Sequence, residues 1–384
     1  MKKNKIKICF VSADPNFLGG IALFQHNFIN YLKQIKFPAE ITWIYAGKAS
    51  RNYEKDGVSY VSIKEGPVPL LNQVNYNLKV SNFLKKNYFD IVNTHASSIF
   101  WTNHYEKPEN QRIIATYHGS SYYFIKNSLE RFNILQKIAL LPYLYHAYSI
   151  DKPSKEVDSL ICVSEKVKNQ IQRLYGKRDN LEVIRTGVDL KTFRPRNKLN
   201  ARKALGLDKD KVYGLYVGRG GYWTKGFDRA IELGKEIYEL NNQYRLIAIG
   251  PDLNKIKRFL DEDSKKFLVM PKETPREKMP YYYDSADIFF CLSRYEGGAP
   301  TLVTSEAMAS GCLVVCSRSS QQEILLDGKN GLILNEDYGR EASRIMNVIK
   351  NAEKRREIIK NSLKTVREFS IEKWGKRYLE VLLN

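Results

Sequence analysis

Val217-Gly218-Arg219-Gly220-Gly221-Tyr222-Trp223-Thr224-Lys225-Gly226 stands between an apolar run, Val212–Val217, and an amphipathic stretch, Phe227–Leu240. The run predicts a strand and the stretch a helix, while the glycines let the turn between them bring its backbone close to a ligand. The same strand-turn-helix unit recurs on both sides. Arg245–Ile249, Phe267–Met270, Ile288–Leu292 and Leu313–Cys316 read as further strands towards the C-terminus. Towards the N-terminus, Ile6–Ser12, Ile41–Ala46, Asp90–Thr94, Arg112–Thr116, Leu160–Val163 and Leu181–Ile184 do the same, with helical periodicity over Ile21–Ile35. These runs are apolar nearly throughout, so both faces of each strand are expected to be covered, as in parallel sheets wrapped by helices. A basic stretch with a proline, Lys191 to Asn197, interrupts the alternation. The reading is therefore α/β, with two doubly wound parallel-sheet domains, residues 1–193 and 194–367, facing across a cleft. An amphipathic helix over 368–384, carrying Phe369, Trp374 and Tyr378, could pack on either domain. In such folds ligands bind in the crevice at the carboxyl ends of the strands.

Composition narrows the class. The chain has 384 residues, 43% hydrophobic and 27% charged, which suits globular domains rather than disorder. Its formal net charge of +20 has two readings, a lysine-rich solvated surface or attraction to anionic partners, a nucleoside diphosphate or an anionic membrane surface. Nucleic acid is excluded as a partner, because no zinc-finger spacing or RNA-binding motif accompanies the charge. The five cysteines (Cys9, Cys162, Cys291, Cys312 and Cys316) form no CxxC pair and mostly lie in apolar runs. Buried reduced thiols are expected, with a cytoplasmic location as the default. The apolar run after Lys5 is too short for a signal peptide, and no stretch is long enough to span a membrane.

Several residues carry candidate chemistry. Arg219 and Lys225 place two cations in the first glycine-rich turn, and the helix after Gly226 would add its N-terminal N–H groups. A departing diphosphate needs such compensation. The plainer reading is a surface turn with two solvated cations. The second cluster, Ser293-Arg294-Tyr295-Glu296-Gly297-Gly298-Ala299-Pro300-Thr301, follows the strand Ile288–Leu292 and leads into a helix bearing Glu306. Carboxylates accept several hydrogen bonds, so Glu306 suits a ribose diol and Glu296 suits sugar hydroxyls. The plainer readings are a charge favourably placed at a helix N-terminus for Glu306 and a solvated loop acid for Glu296. In the first half, Gly19-Gly20 precedes a helix and His118-Gly119 ends a strand. His95 also ends a strand, but a lone histidine is more often structural. Phe132–Tyr148 is apolar and flanked by Lys126, Arg131 and Lys137, so it suits a lipid acceptor or a membrane surface; the alternative is a core helix interrupted by Pro142.

In this order, these elements resemble glycosyltransferase family 4, of the GT-B fold. The series runs from Gly19-Gly20 through Thr116-Tyr117-His118-Gly119, Cys162-Val163-Ser164-Glu165 and Val183 to Asp189 with Phe193 and Pro195. It continues with Val217-Gly218-Arg219 and Lys225-Gly226, then Met279 to Tyr283 with Ala286-Asp287. Glu296-Gly297 with Pro300, Glu306-Ala307-Met308-Ala309-Ser310-Gly311, and Glu323 with Asp327-Gly328 and Gly331 complete it. The resemblance implies a retaining hexosyltransferase that uses a nucleotide-sugar donor (UDP-, GDP- or ADP-linked), with no cofactor and no metal. It assigns Arg219 and Lys225 to the donor diphosphate, Glu306 to the ribose, and Glu296 with the backbone of Gly297, Gly298, Ala299, Pro300 and Thr301 to the donor sugar. His118 would lie beside the transferred sugar, and Gly19 and Gly20 near the diphosphate. It also implies that the last helix crosses back onto the N-terminal domain. The acceptor would be a glycan or lipid-linked molecule in cell-envelope or surface polysaccharide synthesis, with the enzyme peripheral on the inner membrane face. Glu296 and Glu306 enclose nine residues, where the family usually has seven. Two other classes fit parts of the pattern. One is a nucleotide-sugar epimerase of the same fold; the other is a basic glycan- or anion-binding protein without catalysis.

Overall fold

The apolar runs become the strands of two sheets. The structure, a computed structural model, describes residues 5–17, 19–66, 69–95, 98–129, 132–218, 222–250, 256, 260–272 and 274–384. The first part comprises β1 (Ile6–Val11), α1 (Gly20–Gln34), β2 (Ala39–Gly47), β3 (Arg51–Lys55), β4 (Val58–Lys64), α2 (Pro69–Lys86), β5 (Ile91–His95) and β6 (Arg112–Tyr117). It continues with α3 (Ser121–Ser128), α4 (Ile134–Ala139), α5 (Leu141–Ile150), β7 (Ser159–Cys162), α6 (Glu165–Tyr175) and β8 (Leu181–Val183). Its sheet runs β3-β4-β2-β1-β5-β6-β7-β8. Every pairing in it is parallel except β3 with β4.

The second part comprises α7 (Lys198–Ala204), β9 (Val212–Val217), α8 (Phe227–Leu240), β10 (Tyr244–Ile249), α9 (Glu262–Phe267), β11 (Leu268–Val269) and α10 (Met279–Ser285). Then come β12 (Ile288–Cys291), α11 (Leu302–Ser310), β13 (Leu313–Ser317), β14 (Leu332–Leu334), α12 (Tyr338–Lys350), α13 (Ala352–Arg367) and α14 (Ile371–Leu383). Its sheet runs β11-β10-β9-β12-β13-β14 and is parallel throughout. One core cluster contains Phe227, Leu246, Phe290 and Val315, and another contains Leu215, Ile247, Phe289 and Val314, so alternate residues of each strand are buried on opposite sides. That two-sided burial is why the strands read as continuous apolar runs.

Each sheet has one point where strand order reverses. In the first it is β1, between β2 and β5; in the second it is β9, between β10 and β12. At such a point the connections leaving two neighbouring strands run to opposite faces, which opens a crevice at their carboxyl ends. The glycine-rich turns after β1 and β9 begin there.

Two features depart from the sequence reading. The β3–β4 hairpin is antiparallel and turns at Asp56 (φ 53°) and Gly57 (φ 71°), the conformation that an Asp-Gly pair favours. Its outer strand, Arg51-Asn52-Tyr53-Glu54-Lys55, is charged and exposed at every residue but Tyr53, which protects an open sheet edge. Helix α2 is likewise absent from the apolar pattern.

The chain divides into one unit of Met1–Arg185 with Trp374–Asn384 and another of Thr186–Lys373. The change at Thr186 comes ahead of the proline-containing stretch. Val188 N–H donates to Phe369 O (2.9 Å), and Ile371 N–H donates to Val188 O (2.9 Å), which ties this segment to the second unit. Trp374 onwards joins the first unit. Phe24 meets Trp374 and Tyr378 edge-on at 4.7 and 5.3 Å between ring centroids. Gly375 lies so near Tyr31 that a Cβ there would come within 2.5 Å of the ring. The Tyr378 hydroxyl closes a buried ring of hydrogen bonds: it donates to Asn93 Oδ1 (2.9 Å), Asn93 Nδ2 donates to Thr116 Oγ1 (3.0 Å), and Thr116 Oγ1 lies 2.6 Å from Tyr378. All five cysteines are free and buried. Among the described residues, no helix is long and apolar enough to cross a membrane.

Tyr378→Phe keeps the ring and removes only the hydroxyl, leaving Asn93 Oδ1 without its donor. The expected loss is about 1–3 kcal/mol in urea unfolding. An unchanged midpoint would mean that aromatic packing alone holds the last helix.

Candidate active site

In the second unit the site is built where the connections after β9 and β12 touch. Gly226 is left-handed (φ 70°), and a Cβ on it would lie 2.0 Å from Leu292 O, so only glycine allows this approach. Arg294 stitches the two loops together. Its N–H donates to Thr224 O (3.1 Å), its guanidinium forks onto Asp228 at 2.8 and 2.6 Å, and it stacks 4.4 Å over Trp223. Lys225 is thereby brought to Glu296, with Nζ 2.8 Å from Oε1. Burial works against the lysine's charge, but Glu296 outweighs it and holds the pKa above its ordinary value.

Glu306 lies in the second turn of α11 and is only 1% exposed. That position removes the plainer reading of a charge at the helix start, since α11 has no acid in its first turn. Arg276 grips the carboxylate with both terminal nitrogens, Nη1 at 3.1 Å from Oε2 and Nη2 on Oε1, and Tyr283 donates to Oε2 at 2.9 Å. Burial first, then the carboxylate's charge, pushes the Tyr283 pKa well above its ordinary value, so the phenol stays a donor.

The loop before α11 is pinned from behind. Glu323 N–H donates to Gly298 O (2.8 Å), and Thr301 N–H donates to Gln322 Oε1 (3.1 Å). Gly298, Ala299 and Pro300 are buried, while Gly297 and Thr301 are half-buried. Thr301 caps α11, its hydroxyl accepting from Thr304 N. The N–H groups of Leu302 and Val303 have no partner among the described residues.

Two expectations change here. Arg219, with Gly220 and Gly221, lies outside the described residues. The start of α8 is not open to an anion: the N–H groups of Phe227 and Asp228 both turn back to Tyr222 O (3.0 and 3.3 Å), and Asp228 adds a carboxylate to the first turn. At α11, by contrast, the first two amides are open.

In the first unit, Gly19 precedes α1 with an ordinary extended backbone, and α1 has neither a side-chain cap nor an acid in its first turn. A Cβ at Gly20 would meet nothing within 4 Å. His118 follows β6 and pairs with His95 at the end of β5, with His95 Nδ1 and His118 Nε2 2.8 Å apart. Phe24 sits edge-on to the His118 ring at 4.8 Å. Burial lowers both pKa values: His118 falls to about 4, and His95 falls well below the ordinary range, helped by His118. Sequence reasoning singled out Lys225, Glu296, Glu306 and His118 but missed Arg276, Tyr283, Arg294 and the role of His95. No local signal marks Arg276 or Arg294, whereas the Asn-Thr-His end of β5 and the Tyr-His-Gly end of β6 did hold a readable parallel.

Residues 18–192 match the family described as Glycosyltransferase Family 4, and residues 197–365 match Glycosyl transferases group 1. The chain belongs to glycosyltransferase family 4. It is 23% identical over 376 residues to an uncharacterized glycosyltransferase, MJ1178, of Methanocaldococcus jannaschii, spanning 96% of this chain and 95% of that one. Among solved structures, the fold of this glycosyltransferase is similar to sucrose-phosphate synthase from Thermosynechococcus elongatus (TM-score 0.78, 17% identity, 98% of both chains). It is also similar to HepE from Anabaena in complex with UDP (TM-score 0.70, 16% identity, 99% of this chain and 100% of that one). The glycosyltransferase thus has the GT-B fold, two parallel-sheet α/β units in one chain.

Gly226→Ala should destabilise the second unit by about 1–2 kcal/mol from the left-handed backbone alone, with the clash on Leu292 O in addition. Thermal unfolding checks this, and a wild-type midpoint would mean that the two loops do not meet as described.

Proposed function

We propose that this glycosyltransferase moves a hexosyl group from a nucleoside-diphosphate sugar, with retention of anomeric configuration, to a glycan or lipid-linked acceptor in envelope or surface polysaccharide synthesis. The observation that carries the reading is the Lys225 ammonium, held by Glu296 at the carboxyl ends of β9 and β12. Breaking the glycosidic C–O bond leaves its electron pair on the diphosphate. In this reading Lys225 and the open amides of Leu302 and Val303 stabilise that growing charge, fixed in place before the reaction. The bound UDP of the HepE structure supports a nucleoside diphosphate as the ligand class.

Glu306 is the group for the ribose. A carboxylate has about four lone-pair sites. Arg276 and Tyr283 use three, so one ribose hydroxyl fits the remaining site on Oε1, and a diol that takes both oxygens must displace Arg276 or Tyr283 from Oε2. Glu296 and the backbone of Gly297–Thr301 are assigned to the donor sugar, and His118 to the transferred sugar.

Lys225→Ala should lower kcat by roughly 10²–10³, or about 2.7–4 kcal/mol, at saturating donor. Lys225→Ala should also raise donor KM, and because Glu296→Gln removes a negative charge beside the diphosphate, the double variant Lys225→Ala/Glu296→Gln should recover part of that rise. Near-normal turnover in the single variant would exclude Lys225. A thermal-shift panel of UDP, GDP and ADP identifies the nucleotide, because a ligand that binds the folded state raises the midpoint. Conversion of a nucleotide sugar without acceptor would favour the epimerase class, and failure to release nucleoside diphosphate from any donor would favour the non-catalytic one.

A peripheral membrane location on the cytoplasmic face belongs to the same proposal. Helix α4 and the start of α5 are not core, although α5 buries Ala147 and Ile150 at its far end. Ile134 and Leu135 are each 74% exposed, Tyr145 is 75% exposed, and Ile138, Leu141 and Tyr143 are exposed beside them. Pro142 does not break a long helix but starts α5. The sequence from Ser121 to Ile150 carries three cations, Lys126, Arg131 and Lys137, against one acid, Glu130. Apolar side chains rimmed by cations suit an anionic lipid surface. The glycosyltransferase should co-sediment with phosphatidylglycerol vesicles at low salt, and less so after Ile134→Glu/Leu135→Glu. Equal recovery in the supernatant with and without vesicles would remove the membrane from the account.

A further inference from the structure

The first unit holds two neutral imidazoles that share a hydrogen bond, and the surroundings decide which nitrogen carries each proton. His95 Nδ1 lies 2.8 Å from His118 Nε2, with the rings nearly parallel at 12° and their centroids 5.1 Å apart. A neutral imidazole has one N–H and one bare nitrogen, so one ring donates and the other accepts. His95 is 1% exposed, and its other nitrogen, Nε2, is buried with no hydrogen-bond partner. If His118 donated, His95 would have to carry its proton on that buried Nε2, leaving an N–H with no acceptor. Orphaned buried donors are rarer and costlier than an unused acceptor lone pair. His95 therefore holds its proton on Nδ1 and leaves Nε2 bare. His118 Nε2 is then the acceptor, which puts the His118 proton on Nδ1. That nitrogen makes no hydrogen bond among the described residues.

We propose that His95 is a positioning residue for His118: its Nδ1–H holds His118 as the Nδ1-protonated tautomer, with that N–H free to donate to an oxygen of the bound sugar. The sugar contact rests on the function proposed above; the tautomer does not. Phe24 restrains the same rings, edge-on at 4.8 Å to His118 and 5.7 Å to His95, so His118 has little freedom to turn. Burial lowers the pKa of both histidines, to about 4 for His118, which keeps the pair neutral and the bond intact at neutral pH. An imidazolium at His118 would turn its Nε2 from acceptor into donor, facing the His95 Nδ1–H, and break it. Of the five histidines, only His95 and His118 are proposed to act in this way.

The test is a long-range ¹H–¹⁵N correlation spectrum of the full chain labelled with ¹⁵N-histidine, assigned with His95→Asn and His95→Phe. An asparagine amide can place an N–H where His95 Nδ1 stood, whereas phenylalanine keeps the ring shape without a donor. The unaltered protein should show His118 with a protonated Nδ1 and a bare Nε2 at pH 7, and His95→Asn should keep that pattern. In His95→Phe the Nε2–H form of His118 should appear, and kcat should fall about 10- to 100-fold with donor KM little changed, the scale of a misplaced contact. His95→Asn should retain most of kcat, which separates positioning from a merely structural role. An Nε2–H or charged His118 in the unaltered chain would overturn the proposal. So would equal turnover in His95→Phe and the unaltered enzyme. If the chain turns over no nucleotide sugar at all, the spectrum still decides the tautomer, so failure of the function and failure of the pairing are told apart.

Discussion

The approach of Gly226 to Leu292 O is the constraint on which the second unit's chemistry depends. Parallel strands β9 and β12 are neighbours at the reversal of strand order, and their connections leave towards opposite faces. Two such loops would ordinarily diverge. A residue without a side chain, in a left-handed turn, lets the first loop lie against the end of the second strand. Lys225, one position earlier, then falls beside Glu296. Arg294 holds the contact from the other side through Asp228, Trp223 and Thr224.

Around that contact, each buried charge has a partner that sets its state. Lys225 stays cationic because Glu296 offsets its burial. Glu306, almost completely buried, is held by a two-pronged arginine and a phenol. A buried carboxylate without such partners would be very costly, and removing one partner of such a pair is strongly destabilising. The first unit solves a similar problem without ions. His95, His118, Asn93, Thr116 and Tyr378 are buried or half-buried polar groups kept neutral and hydrogen-bonded, with Phe24 at their centre. The second unit's site is therefore built from paired charges, and the first unit's from neutral hydrogen-bonded groups.

The fold class could be read directly from the sequence because strands buried on both faces must be apolar at every position, and most such runs became strands. The β3–β4 hairpin escaped because an edge strand faces solvent and reads as Arg-Asn-Tyr-Glu-Lys, although Asp56-Gly57 was a usable turn signal. In the site, Lys225, Glu296 and Glu306 stood out because they border glycines at the ends of apolar runs. Arg276 did not, since an arginine in a charged loop looks solvated until Glu306 is found beneath it. The start of α8 was misjudged for a related reason. A helix beginning after glycine suggests free amides, and only the backbone geometry reveals that Tyr222 O already takes two of them. His95 was visible as a strand-ending histidine, but its partner is twenty-three residues away and meets it only through the pairing of β5 with β6.

A crystal structure of the protein with a bound nucleoside diphosphate tests the central claim most directly. The account predicts phosphate oxygens within hydrogen-bond reach of Lys225 Nζ and of the Leu302 and Val303 amides, with the ribose at Glu306. A nucleotide bound elsewhere, with Lys225 still closed onto Glu296, would contradict it.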